Sequence, residues 1–143
     1  MWTSWRPDAK TVLTDKKARA SLKRYFDVME DDKPAKFLIA KKLAANFNKN
    51  DSLTKLWALH EQLTEEFYHL EQKIDTREKR LEDLEAPDKS FLDLKLEIVN
   101  NILETCHFCT RRCSSNRIKG ELGYCRCGAH ATVSTIFSHT GRA

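Results

Sequence analysis

Residues 52–87 read SLTKLWALHEQLTEEFYHLEQKIDTREKRLEDLEAP, and this stretch decides the fold. Within it Leu56, His60, Leu63, Phe67, Leu70, Ile74, Arg77, Leu81 and Leu84 recur at alternating intervals of four and three. Seven of these nine positions are apolar or aromatic, with Glu and Lys around them. That is a heptad pattern over four repeats, the period of a helix that buries one seam. It predicts a single helix over 52–85, capped by Asp51 or Ser52 and about 50 Å long at 1.5 Å per residue. Pro87 ends it, because proline cannot donate to the helical ladder.

Downstream, Asp88 is placed to cap a second long helix over 88–104. Leu92, Leu96, Val99 and Leu103 form one stripe, with Phe91, Ile98 and Ile102 beside it. The link Glu85-Ala86-Pro87 is short, so the two helices are expected to form an antiparallel, coiled-coil-like hairpin. The stripes pack on one another and on the upstream helices, or alternatively on a second copy as a homodimer. His60 and Arg77 lie on the seam and are expected to be partly exposed.

Upstream, Thr14 or Asp15 can cap a helix over 15–29 with Ala18, Leu22, Tyr25, Phe26 and Met29 at helical spacing. Pro34 suits the first turn of another helix over 34–47, carrying Phe37, Ala40, Leu43, Ala44 and Phe47. Trp2, Trp5 and Trp57 are expected in the core or at caps. The fold class is therefore mainly α: a helical domain over 1–104, then a small cysteine-rich module over 105–143.

Composition supports that division. All 4 glycines and all 5 cysteines of the 143 residues lie beyond residue 105. Residues 1–104 carry 19 Lys+Arg against 20 Asp+Glu, and residues 105–143 carry 6 against 1, so the net +4 belongs to the C-terminal part. A length of 143 residues excludes a full (β/α) barrel, which needs about 200. Trp2 to Trp5 is followed by Arg6-Pro7-Asp8, with no apolar core of a secretory signal. Five cysteines without such a signal point to reduced thiols and a cytoplasmic protein with no membrane segment.

The chemistry lies in Cys106-His107-Phe108-Cys109-Thr110-Arg111-Arg112-Cys113, followed after eleven intervening residues by Cys125-Arg126-Cys127. Two cysteines separated by two residues can share one metal ion in a tight turn. Gly120-Glu121-Leu122-Gly123-Tyr124 is a turn able to return Cys125 to them. Cys106, Cys109, Cys113 and Cys125 are the candidate ligands, with Cys127 as the alternative. Four thiolates suit tetrahedral zinc or an iron–sulfur cluster. Arg111, Arg112, Arg117 and Arg126 lie near enough in sequence to favour the thiolate form. His107 reads as a surface residue. Ala131 to Phe137, flanked by His130 and His139, has the pattern of one short strand.

These residues carry a resemblance. Cys106 to Cys113, Asn116-Arg117 and Gly120-Glu121-Leu122-Gly123-Tyr124-Cys125 resemble the N-terminal cysteine motif of radical S-adenosylmethionine proteins related to pyruvate formate-lyase activating enzyme. In that family the pattern reads roughly Cys-x-x-Cys-Pro-Arg-x-Cys, Asn-Arg, Gly-Glu-x-Gly-Phe-Cys, and a catalytic barrel follows. The resemblance covers about residues 105–141. It departs at Thr110, where the family has proline. The catalytic Cys-x-x-x-Cys-x-x-Cys is absent, since Cys109 and Cys113 begin it but position 116 is Asn. The resemblance implies a non-catalytic front segment of such an enzyme, binding an iron–sulfur cluster or zinc and docking on the barrel in cis or as a separate chain. It implies S-adenosylmethionine only in the full-length parent. The alternative is a free-standing zinc-binding interaction module on a helical hairpin, for protein or nucleic acid. The modest basic charge makes nucleic acid the weaker partner. No serine–histidine–acid set, phosphate-cradling loop or paired-histidine protease motif marks a catalytic site.

Overall fold

The computed structural model describes Thr11, Thr14 to His130, and Val133. The chain is mainly helical. Its described residues divide into two compact units, one up to Ala35 and one from Lys36 onward.

In the first unit Asp15 is the cap. Its carboxylate accepts from the N–H groups of Lys17 and Ala18 at 2.7 and 3.0 Å, opening α1 (Lys16–Ser21). The single helix expected over 15–29 is broken at Leu22 (φ −110°, ψ 28°), and α2 runs Lys23–Met29. Arg19 reaches Glu30 at 2.6 Å and lies 4.6 Å from the centre of the Phe26 ring. Eleven residues of straight helix span about 16 Å, more than an arginine bridges, so this contact requires the bend. Beyond α2, Asp31 takes φ 61°, while Asp31 N–H bonds Val28 C=O and Asp32 N–H bonds Asp27 C=O. That is a Schellman closure with aspartate in the left-handed position that glycine usually fills.

The second unit holds α3 (Lys36–Ala40), α4 (Leu53–Asp75) and α5 (Phe91–Glu104). The helix expected over 34–47 starts at Lys36 and stops at Ala40. A backbone clasp takes the chain away from helix: Ala44 pairs antiparallel with Ser90. Ala45 N–H donates to Lys89 C=O at 2.9 Å and Phe91 N–H to Leu43 C=O at 2.8 Å. The ammonium groups of Lys42 and Lys89 reinforce it from either side, on the carbonyls of Leu84 and Phe47.

The helix expected over 52–85 begins as predicted, with Ser52 accepting from Lys55 N–H, but ends at Asp75. Arg77 takes φ 61°, Arg77 N–H bonds Ile74 C=O and Glu78 N–H bonds Lys73 C=O. This is a second Schellman closure without glycine. The three-residue link of the expected hairpin is therefore replaced by residues 76–90. Leu81 and Leu84, read as helical seam, instead fold back and pack partly buried on the core from this loop.

Helix α5 is capped by Ser90 and not by Asp88. Ser90 Oγ accepts from Asp93 N–H, and the Asp93 carboxylate accepts from Ser90 N–H at 2.8 Å, a complete capping box. Its buried stripe is Phe91, Leu94, Ile98 and Ile102, whereas Leu96 is 55% exposed. The apolar face is thus rotated from the Leu92–Leu96–Val99–Leu103 stripe. Leu94 is 0% exposed and belongs to the core cluster that also holds Leu56, Leu63, Phe67 and Ile74 of α4 with Ile39 and Phe47. His60 is half-buried and Arg77 exposed, as expected. Trp57 is not in the core; it is 41% exposed and stands edge-on to His60.

The cysteine-rich segment joins the same unit directly after α5. Arg117 N–H donates to Leu103 C=O at 2.9 Å, and Cys106 N–H to Ser115 C=O at 3.1 Å. Among the described residues no helix is long and apolar enough to cross a membrane. The strand expected over 131–137, like Trp2, Trp5 and His139, lies outside the described residues, although Val133 is included and is exposed.

Candidate metal centre

The loop 105–130 is built by its own polar residues. Asn116 N–H donates to the Glu121 carboxylate at 2.7 Å, and Glu121 N–H returns to Asn116 C=O at 3.0 Å. Lys119 N–H donates to the Asn116 side chain, and Gly120 N–H to Arg117 C=O. Gly120 takes φ 88°, which only glycine adopts freely. Asn116, Gly120 and Glu121 thus form a closed turn that carries the chain from Cys113 back to Cys125.

Arg117 is the centre of the arrangement. It is 5% exposed, and its guanidinium lies 3.3 Å from Cys125 Sγ and 3.8 Å from Cys113 Sγ. It also bonds the Cys127 carbonyl. The thiols of Cys106 and then Cys125 hold its basicity above the ordinary arginine value. Cys106, Cys113 and Cys125 therefore surround one buried cation. A Cβ on Gly123 would collide with this guanidinium and stand 2.8 Å from Cys113 Sγ, so residue 123 must be glycine for the sulfurs to approach.

Two of the sulfurs, those of Cys113 and Cys125, are favoured as thiolates. The backbone N–H of Tyr124, then the N–H and hydroxyl of Ser115, bond the Cys113 sulfur and lower its pKa to about 6. The N–H of Cys127, then Arg117, lower that of Cys125. Cys127 is raised because its thiol lies against Cys125; its Sγ donates to the Cys125 carbonyl at 3.4 Å. Cys109 is exposed, and all five cysteines are free. His107 is on the surface, with its Nδ1 2.8 Å from the Thr105 carbonyl.

Of the four predicted ligands, Cys106, Cys113 and Cys125 come together and Cys109 stays at the surface. Among the described residues no group of three or more His, Cys, Asp or Glu side chains is placed to hold a metal ion. The donor chemistry nonetheless suits a soft cation. The Cys113 and Cys125 sulfurs, stabilised by backbone N–H groups, gather on the positive charge of the Arg117 guanidinium. Of the four arginines noted in the sequence, Arg117 reaches the sulfurs; Arg111 stacks 4.1 Å from the centre of the Tyr124 ring. The role of Gly123 was missed, since a glycine excluded by crowding leaves no mark in the backbone pattern.

Comparison with known proteins gives one informative match. Over 120 residues, 84% of this chain, the sequence is 39% identical to an "uncharacterized protein" of Methanocaldococcus jannaschii. The chain spans about a third (33%) of the length of that relative. No family model matches the sequence. No solved structure matches it either.

Proposed function

We propose that this chain is the N-terminal segment of a radical S-adenosylmethionine protein related to pyruvate formate-lyase activating enzyme. Its cysteine module would hold an iron–sulfur cluster or a zinc ion and would not catalyse alone. The observation that carries the reading is the gathering of Cys106, Cys113 and Cys125 on one buried positive charge by the same Asn116, Arg117, Gly120, Glu121 and Gly123 that make up the motif. Cys109 is the fourth ligand and Cys127 the alternative. The chain matches a third of the length of a longer archaeal protein. The chemistry implied for the full-length protein is reductive cleavage of S-adenosylmethionine to a 5′-deoxyadenosyl radical, with the cysteine module docked against the barrel.

A second reading has its own observation. Phe108, Ile118, Leu122 and Tyr124 of the cysteine module are 49–70% exposed. Apolar side chains exposed together suit a zinc-stapled interaction module as well as a barrel-docking face.

Anaerobic purification with iron, sulfide and zinc analysis and a visible spectrum tests both. Iron with sulfide and a broad absorption band favours the radical-enzyme lineage. About one zinc per chain in colourless protein favours the interaction module. Protein with neither metal, before and after reconstitution, refutes the thiolate site.

A further inference from the structure

A cleft of about 300 Å3 opens between α3, α4 and α5, away from the cysteine module. Its walls are Phe67, Tyr68, Phe91 and Leu92, and Lys36 and Lys95 stand among them. The volume is at the small end of the range for small-molecule pockets, and the mixture of aromatic walls with few polar groups is their usual composition.

The two lysines are not equivalent. Lys36 Nζ lies 3.3 Å from Glu71 Oε1 and 5.0 Å from the centre of the Tyr68 ring, so its charge is largely answered. Lys95 pairs with no carboxylate among the described residues. Its ammonium is 2.7 Å from His60 Nε2 and 4.1 Å from the centre of the Phe91 ring. An ammonium can only donate, so His60 accepts at Nε2 and is neutral there. Burial, and then the charge of Lys95, disfavour the protonated imidazole, in keeping with that arrangement. The cleft therefore holds one ammonium group with no carboxylate partner among the described residues, above an aromatic floor; burial without an opposite charge disfavours its charged form, and an anion would restore it.

We infer that this cleft binds a small molecule with a flat apolar body and a single anionic group, the anion meeting Lys95 and the body lying against Phe67, Phe91 and Leu92. An uncompensated cation beside apolar walls favours a monoanion over a neutral ligand or a dianion. This inference is independent of the cysteine module and stands or falls separately from it.

The test uses the 143-residue chain with 2-naphthoate, followed by calorimetry and amide chemical shifts. Saturable binding at one site is expected, with shifts at Thr64, Tyr68, Leu92 and Lys95. The uncharged 2-naphthamide should bind about tenfold more weakly, as should 2-naphthoate to Lys95→Met, since one charged hydrogen bond is lost. Lys95→Arg should retain most of the affinity, which separates loss of charge from loss of packing. Absence of saturable binding overturns the inference. So does equal affinity for the amide, or equal weakening by Lys95→Met and Lys95→Arg.

Discussion

Cys113 sits between Arg112 and Ser114, which take φ 41° and 54°, and Arg126 between Cys125 and Cys127 takes 56°. Left-handed backbone at three non-glycine residues is unusual and concentrates at functional sites. Here it turns N–H groups toward sulfur. The thiolate, not the thiol, reacts with iodoacetamide, so labelling of metal-free protein should rise first at Cys113, through a midpoint near pH 6. Cys125 should label ahead of Cys127, and peptide mapping by mass spectrometry reads the order. Gly123→Ala should scatter the sulfurs: metal bound per chain should fall well below that of the parent while the helical circular dichroism holds. That Cys106, Cys113 and Cys125 could meet was legible because their spacing is a local property of the sequence. The central role of Arg117 was not, because its burial among the cysteines depends on how the loop closes.

The helices show what periodicity can and cannot tell. Apolar spacing located α4 and α5 and placed Leu56, Leu63, Phe67 and Ile74 inside, because a buried stripe must repeat at the helical period. It overran the end of α4, since Leu81 and Leu84 keep the heptad rhythm while packing from a loop. No glycine or proline marks the true end; Arg77 simply pays the left-handed strain. Arg77→Gly should therefore stabilise the protein by up to about 1 kcal/mol in urea unfolding. The start of α5 was misplaced at Asp88 although Ser90 and Asp93 have capping-box spacing. Ser90→Ala should destabilise by about 1 kcal/mol, measured the same way. The Ser90 hydroxyl and N–H hold the Asp93 carboxyl below its ordinary range. The contribution of Asp93 to the box is thus full above about pH 4 and lost as the pH falls through its lowered value.

At the scale of the whole molecule, the mainly α class followed from the heptad-bearing stretch within residues 1–119, which contain no glycine, and the core residues came largely from the expected stripes. The rotation of α5 did not, because Leu92–Leu96–Leu103 is as apolar as the stripe actually buried and only the packing partners distinguish them. Leu94→Ala should cost about 2–5 kcal/mol, as for a fully buried leucine. Leu96→Ala should change stability by less than about 0.5 kcal/mol, as at an exposed site. Equal effects in thermal or urea unfolding would contradict the rotation.

The clasp between Ala44 and Ser90 also governs how the molecule bears load. It joins two points 46 residues apart and encloses the whole of α4 between them. Tension applied from residues before Ala44 and after Ser90 loads the paired backbone together with the packing of α3 and α5 on α4. Once the clasp has opened and α4 has unravelled, the enclosed segment can extend by about 150 Å.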